Sequence, residues 1–255
     1  MSSLIVNFDS HVLTLQLNRP EKKNALDAAL YQQLIDALKM AADDGQVRAV
    51  LLTGSYGFFS SGNDLQDFLI SSESIHDKPV AHFLNTLAQF KKPVVAAVNG
   101  PAVGVAATLL MHCDLVYASE TAYLHFPFIN LGLCPEFAAS YLLPRFLGHV
   151  RAAELLMLGE PFSAQKAYEL GLVNEVLEPA ALELRARTRA AQLAAMPTHA
   201  LQTTKMLMKR FVSDGLSHSM QVELDHFGQL LKAAEFREAL SALKEKRKPD
   251  FSRAT

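Results

Sequence analysis

Apolar residues that alternate with polar ones predict two strands at the start of the chain, at residues 4–8 and 12–17. A hairpin through Asp9 and Ser10 would pair them. Asp27 then stands where a helix cap is expected, and apolar residues at helical spacing follow it up to Gly45. A buried strand is predicted at 47–53. The order strand, helix, strand indicates a parallel crossover connection.

The stretch 93–114 is predicted to hold a strand, a turn and a helix. Its β-branched run ends at Asn99-Gly100-Pro101, because proline cannot continue a ladder and glycine permits a tight turn. An apolar helical segment, 105–111, opens after Gly104. Backbone N–H groups at such a turn can hold anionic oxygen atoms. The alternative is an ordinary turn in an α/β core.

In the second half of the chain, short elements give way to helices. We expect short strands at 115–118 and 173–176, helices at 136–147, 150–158 and 163–170, and an irregular aromatic segment at 123–128. Beyond Pro179 the pattern is helical, and Pro197 separates a helix at 180–195 from three last helices. The predicted domains are therefore a core, 1–196, and a helical C-terminal region, 197–255.

Composition and charge exclude several classes of protein. The chain has 255 residues, half of them hydrophobic, which is enough for a sizeable core. With 24 basic and 26 acidic residues, the chain has no excess of positive charge that would attract nucleic acid. No charged residue lies between Lys92 and Asp114, but the Asn-Gly-Pro break argues against a membrane span. The two cysteines lack metal-binding spacing and favour a reducing compartment, so we expect a cytoplasmic protein that spans no membrane.

Common catalytic and ligand motifs are missing. The sequence GSYG at residues 54–57 does not supply the GxSxG of a serine hydrolase. The nine histidines show neither HxH nor HxxxH spacing, so no metal site is expected. The Gly100 to Gly104 segment lacks the glycine pattern of a nucleotide phosphate loop.

Six motifs, in order, resemble the crotonase, or enoyl-CoA hydratase/isomerase, family over essentially the full length. They are NRPEKKNAL (18–26), FFSSGNDL (58–65), KKPVVAAVNGPAVG (91–104), CDLVYAS (113–119), FSAQKAYELGLVNEV (162–176) and EALSALKEKRKPDF (238–251). The resemblance implies an α/β fold, a spiral of ββα repeats with a helical C-terminal region. It also implies a homotrimer or a dimer of trimers, with residues 197–255 serving in trimerisation and as an active-site cover.

The resemblance further implies an acyl-CoA substrate and no separate cofactor. The thioester oxygen would meet the backbone N–H groups of Asn63 and Val105, which would hold the enolate formed when an α-proton leaves. Other residues implied in substrate binding are Lys22, Lys23, Ala25, Gly62, Asp64, Leu65 and Gly104. For Lys22 and Lys23, a solvated loop is an equal alternative.

The acid/base residue distinguishes the reactions of this family. Hydratases place two glutamates around the substrate, and this chain has Thr108 and Phe128 at those positions. It resembles instead the 3,2-enoyl-CoA isomerases, whose glutamate falls in the turn written here LGLCPEF, at Glu136. The aromatic residues Phe126, Phe128 and Phe137 would raise the Glu136 pKa, and a helix N-terminus would lower it. The alternative is that Glu136 only favours the first turn of its helix.

Three hypotheses follow from the resemblance. The first is an isomerase that shifts the double bond of 3-enoyl-CoA to 2-trans-enoyl-CoA in unsaturated fatty acid degradation. The second is an enoyl-CoA hydratase or another crotonase-type enzyme. The third is a protein that binds acyl-CoA without turning it over, and the role of Glu136 distinguishes it from the first.

Overall fold

Nine strands form two sheets in the computed structural model of the chain, which describes residues 2–65, 67 and 74–253. The strands are β1 (Leu4–Asp9), β2 (Val12–Leu17), β3 (Ala49–Thr53), β4 (Val94–Val98), β5 (Ala102–Val103), β6 (Leu115–Ser119), β7 (Tyr123–His125), β8 (Phe162–Ser163) and β9 (Glu175–Leu177). The main sheet has the order β1-β2-β3-β4-β6-β9, and the small sheet has the order β5-β7-β8. In the main sheet only the β1–β2 pair is antiparallel.

The helices connect these strands and then cover the sheets. They are α1 (Ala28–Asp43), α2 (Pro79–Ala88), α3 (Val105–Thr108), α4 (Ala139–Leu147), α5 (His149–Ala153), α6 (Ala164–Glu169), α7 (Pro179–Ala195), α8 (Thr198–Leu230) and α9 (Ala234–Glu245). Short 3₁₀ turns lie at Pro20–Lys22, Ile75–Asp77, Leu109–His112, Ile129–Leu131 and Phe251–Arg253, and a π-helical turn lies at Glu154–Leu158. Within the described ranges, no helix is both long enough and apolar enough to cross a membrane.

The first elements form as the sequence predicts. The strands β1 and β2 pair as a hairpin, with Ser10 and His11 both at positive φ in the turn between them. The Asp27 side chain accepts a hydrogen bond from the backbone N–H of Leu30, which caps α1. The helix α1 ends at Asp43, two residues before Gly45. The predicted hairpin and cap are confirmed.

The main sheet is buried on both faces, so its central strand is entirely apolar. All five residues of β4, Val94–Val98, are buried. One face contributes to the main core with α1 and α2, whereas the other packs on α7 through alanines every four residues, Ala186, Ala190 and Ala194. These small side chains let α7 lie close to the sheet. The sheet is therefore a rigid support for the loops at its strand ends.

Two predictions near the centre of the chain are wrong. Residues 123–125 form strand β7 rather than an irregular segment, because they pair with β5 on one side and β8 on the other. The helix predicted to start at Glu136 begins only at Ala139, since Phe137 and Ala138 take left-handed φ values of 62° and 58°. Glu136 therefore lies in a turn ahead of the helix.

The C-terminal region also differs from the prediction. Two of the three helices expected after Pro197 are one continuous helix of 33 residues, α8. Gly215 lies inside it, beside the ring of Tyr141, and does not interrupt it. The third predicted helix is α9. The domain division at residue 196 stays a prediction.

Candidate active site

The backbone N–H of Asn63 is left unpaired by the geometry of its neighbours. Gly62 O accepts from the Leu26 N–H at 2.8 Å, and the Asp64 N–H donates to Leu26 O at 2.9 Å. Successive amides of an extended chain point in opposite directions. Since the groups of Gly62 and Asp64 face Leu26, the N–H of Asn63 points away from Leu26. Within the described residues this N–H has no protein acceptor.

The backbone N–H of Val105 is free for a different reason. Val105 is the first residue of α3, and the first amides of a helix have no partner inside it. Gly104 precedes it with φ 58° and ψ −124°, and its carbonyl accepts from the Ala107 and Thr108 N–H groups at 2.9 and 3.0 Å. No acceptor for the Val105 N–H occurs in the described part of the chain.

Asn63 and Val105 line the same cavity, which has a volume of about 440 Å³. Three other predicted binding residues, Gly62, Leu65 and Gly104, line it as well. Its remaining wall is mostly apolar and includes side chains from α8 and α9: Phe227, Ala239, Ala242 and Leu243. The cavity can therefore take an apolar group next to two N–H donors.

The other predicted binding residues do not line this cavity. Lys22 and Lys23 are exposed, as the solvated-loop alternative expects, whereas Ala25 is buried and Asp64 forms an ion pair with Arg19 at 3.4 Å. Their loop is held beside Asn63, since the Ser61 N–H donates to Lys23 O at 3.0 Å. The role of these four residues in binding stays a prediction.

Glu136 is buried, with 2% of its surface exposed, and bonds to a single side chain. Its Oε1 accepts from Thr108 Oγ1 at 2.7 Å, whereas its Oε2 has no partner among the described residues. Glu136 is not a wall residue of the cavity. Thr108 connects it to that wall, because Thr108 lies one turn along α3 from Val105.

Thr108 can follow the protonation state of Glu136. Its hydroxyl lies 2.7 Å from Glu136 Oε1 and 3.2 Å from Val105 O, and a hydroxyl carries only one hydrogen. When Glu136 is ionised, Thr108 donates to it. When Glu136 is protonated, the carboxyl can donate to Oγ1 while Thr108 donates to Val105 O. Thr108 therefore does more than stand in the place of a hydratase carboxylate, because its hydroxyl contacts Glu136 directly.

Burial controls the proton affinity of Glu136. It raises the Glu136 pKa from 4.5 to about 8, because a buried carboxylate loses its hydration. The hydrogen bond from Thr108 lowers this pKa, and the charge of Glu223 raises it further. The helix α4 begins three residues after Glu136, so Glu136 is not in the first turn, where a helix N-terminus was predicted to lower its pKa.

The Glu136→Gln variant should gain stability over wild type as the pH rises from about 5 to about 8. The folded protein keeps on Glu136 a proton that the unfolded chain releases above 4.5. The resulting stabilisation is complete below 4.5 and is lost as the pH rises to about 8. Glutamine does not titrate. Melting temperatures across this range test the expectation, with Glu183→Gln on the exposed surface as control, and a difference independent of pH would contradict it.

Two side chains outside the set of predicted site residues, Tyr31 and His112, hold the walls of this site. The Tyr31 hydroxyl donates to Asn63 Oδ1. Burial, and then the charge of Glu136, raise the pKa of Tyr31 well above 10.0, so Tyr31 lies close to Glu136 as well as to Asn63. His112 donates from Nε2 to Phe137 O at 2.8 Å, and burial lowers its pKa to about 3. His112 is therefore neutral. The sequence does carry a signal for Tyr31, because it places a tyrosine hydroxyl in the apolar face of α1.

No group of three or more His, Cys, Asp or Glu side chains in the described ranges could hold a metal ion. The site offers instead two backbone donors for an oxyanion, one buried carboxyl with a free oxygen, and an apolar surround. Such an arrangement can remove a proton next to a carbonyl group and stabilise the enolate that forms.

Comparisons with known proteins identify the family of the chain. The family model for enoyl-CoA hydratase/isomerase matches residues 7–254. Rat enoyl-CoA delta isomerase 2 is 38% identical over 81% of this chain and 54% of its own length, so the chain spans about half of that relative. The 2,3-dehydroadipyl-CoA hydratase of Escherichia coli K12 is 35% identical over 98% of this chain and 99% of its own.

A solved structure gives the same answer for the fold. The enoyl-CoA hydratase/isomerase of Pseudoalteromonas atlantica T6c superposes with a TM-score of 0.93 at 40% identity, covering 98% of this chain and 100% of that one. The predicted spiral fold with a helical C-terminal region is confirmed. The chain belongs to the enoyl-CoA hydratase/isomerase, or crotonase, family.

Proposed function

We propose that this protein is a 3,2-enoyl-CoA isomerase, which converts 3-enoyl-CoA to 2-trans-enoyl-CoA in unsaturated fatty acid degradation. The observation that supports it is the buried carboxyl of Glu136, whose Oε2 has no partner among the described residues, while Thr108 and Phe128 replace the two carboxylates of a hydratase. A double-bond shift moves one proton within the substrate, so one base is sufficient. Hydration needs a second group to activate water.

The two backbone donors would stabilise the intermediate. The thioester oxygen would accept from the N–H groups of Asn63 and Val105, which line the cavity together. As a proton leaves C2, negative charge develops on this oxygen, and each preorganised donor is typically worth ~3 to 4 kcal/mol in the transition state. This oxyanion hole lowers the barrier to forming the dienolate.

Glu136 would carry the proton. Its ionised carboxylate takes a proton from C2, and the electrons of that C–H bond pass into the thioester to form a dienolate with negative charge on oxygen. The protonated Glu136 then gives the proton to C4, the thioester carbonyl re-forms, and the double bond lies between C2 and C3. Thr108 supports both states, because it donates to the carboxylate and can accept from the carboxylic acid. A Glu136 pKa of about 8 places this exchange close to neutral pH.

Turnover of 3-enoyl-CoA thioesters of graded chain length tests the proposal. The conjugated 2-enoyl product would be followed by its absorption, and hydration of 2-trans-enoyl-CoA would be measured with the same preparation. We expect isomerisation to exceed hydration at every chain length that binds. Binding without turnover would support the non-catalytic alternative. Equal or faster hydration would support the hydratase alternative, which the relative from Escherichia coli favours.

We also propose a homotrimer or a dimer of trimers, in which residues 197–255 form subunit contacts and cover the active site. Phe227, Ala239 and Leu243 line the cavity, which supports the covering role. Met208 and Phe211 on α8 are 74% and 83% exposed, which a subunit contact would bury. The unpaired cysteines agree with the cytoplasm as the proposed location.

Light scattering at micromolar concentration should give three or six times the chain mass of 28.0 kDa. The physical reason is the exposed apolar surface of α8, which is costly to leave in water. Changing Phe211 to Glu should shift the protein towards smaller species, while Val150→Glu, at an exposed residue on α5, serves as the control. A wild-type monomer at that concentration would contradict the proposal.

A further inference from the structure

A second buried glutamate, Glu223 on α8, binds the turn that follows Glu136. Only 5% of its surface is exposed. Its Oε2 accepts from the Ala138 N–H at 2.5 Å, and its Oε1 accepts from the Ser140 N–H at 2.8 Å and from the Ser140 hydroxyl at 2.5 Å. Both carboxylate oxygens are thus used, and both face the start of α4.

This turn needs support from outside. Phe137 and Ala138 are consecutive residues in the left-handed region, at φ 62° and 58°, a conformation that residues with a Cβ adopt only when their surroundings impose it. His112 bonds to the carbonyl of Phe137, and Glu223 bonds to the amide of Ala138. Both contacts therefore hold the same peptide group, the one that joins Phe137 to Ala138, one residue after Glu136.

We infer that Glu223 is a positioning residue for Glu136, because from α8 it holds the turn that fixes the place of the proposed base. The inference rests on the proposed function for the role of Glu136. An ionised Glu223 has only acceptor sites, so it can accept from both N–H groups and from the Ser140 hydroxyl at once. A protonated Glu223 has one acceptor site fewer, and its O–H would have to turn to the Ser140 hydroxyl for all three contacts to remain.

Charge couples the two glutamates. Burial raises the pKa of Glu223 to about 7, and its hydrogen bonds from Ser140 and Ala138 lower it. The negative charge of Glu223 adds to burial in raising the Glu136 pKa. The other titratable groups facing this pair are Tyr31 on α1 and Cys134 in the same turn, and burial raises the pKa of both. Among the described residues, no cation shifts the pKa of either glutamate.

The test compares Glu223→Gln with Glu223→Asp and with a control on the same helix. Glutamine keeps the shape but has one acceptor oxygen and no charge, whereas aspartate keeps the charge on a shorter side chain. Asp225→Asn is the control, since Asp225 is exposed and pairs with His76 at 2.8 Å, away from the turn. Two quantities are measured: kcat and KM with 3-enoyl-CoA, and the titration of Glu136 by NMR of ¹³C-carboxyl-labelled glutamate, assigned with Glu136→Gln.

With Glu223→Gln we expect kcat to fall by ~10- to ~100-fold with little change in KM, because misplacing a reacting group by about 1 Å can cost this much. The Glu136 resonance should titrate at lower pH than in wild type. Glu223→Asp should recover part of kcat and keep the wild-type titration, and Asp225→Asn should match wild type in both. If Glu223→Gln does not fold, Glu223→Asp is used to test the inference. A wild-type kcat in Glu223→Asp would then overturn it.

The two readouts separate this inference from the proposed function. The positioning role would be overturned if Glu136 titrated in Glu223→Gln as it does in wild type. It would also be overturned if the loss of kcat came with an equal rise in KM and Asp225→Asn showed the same changes. If wild type does not isomerise 3-enoyl-CoA, the proposed function fails. The NMR titration still tests the coupling of the two carboxyl groups in that case, since it needs no turnover.

Discussion

Replacing Glu136 by glutamine should lower isomerase turnover by ~100- to ~10,000-fold, the usual contribution of general acid/base catalysis. Glutamine preserves the shape of the side chain and can still bond to Thr108, but it cannot take a proton from C2. Binding of acyl-CoA should survive, because the proposed oxyanion donors belong to the backbone of Asn63 and Val105. Steady-state kinetics and equilibrium binding of a saturated acyl-CoA measure the two effects separately.

The control for this prediction is Glu183→Gln, the same change at an exposed residue of α7. It should leave turnover within the range of wild type. Near-full activity in Glu136→Gln would show that another carboxylate carries the proton. Asp64 and Asp67 would then be the residues to test.

The second large effect is expected from Val105→Pro, which removes a proposed oxyanion donor. Proline has no N–H, and it is tolerated at the first position of a helix, where Val105 stands. Loss of one such donor typically costs ~100- to ~1,000-fold in kcat. Val105→Ala keeps the N–H and trims a buried side chain, so it should lose far less.

Circular dichroism of both Val105 variants would confirm that they fold, and kcat for 3-enoyl-CoA is the deciding quantity. Similar kcat values for the proline and alanine variants would contradict a role for this N–H. A large difference between them would assign the effect to the backbone donor, since both variants lose the valine side chain.

The sequence predicts those parts of the fold that depend on neighbouring residues. The β1–β2 hairpin, the Asp27 cap and the strand β4 are set by alternation, by a capping side chain and by a β-branched run. The unpaired N–H at Val105 also follows locally, because it is the first residue of a helix after a glycine turn. These features need no knowledge of distant partners.

The surroundings of Glu136 could not be predicted in this way. Its partner Thr108 lies 28 positions earlier, and Glu223, which binds the next turn, lies 85 positions after Ala138. The left-handed residues Phe137 and Ala138 carry no glycine or asparagine signal, so the sequence suggested that α4 began at Glu136. Tertiary contacts overcame the local preference there, as is common at functional sites.

The strand β7 was missed for a similar reason. Its three residues, Tyr123–His125, are too few to show alternation, and their strand character comes from pairing with β5 and β8. The continuity of α8 was missed because Gly215 weakens the local helix preference, while packing on α4 through Tyr141 supports the helix there. In both cases the deciding contacts join residues far apart in sequence.

Mass spectrometry of the product formed from 3-enoyl-CoA, combined with its absorption as a conjugated thioester, tests the central claim, a single-base isomerase, most directly. The account predicts that the main product is 2-trans-enoyl-CoA, with the same elemental composition as the substrate, because Glu136 returns the proton that it removes. A main product heavier by one molecule of water would contradict the account. It would show that the protein activates water without carboxylates at positions 108 and 128.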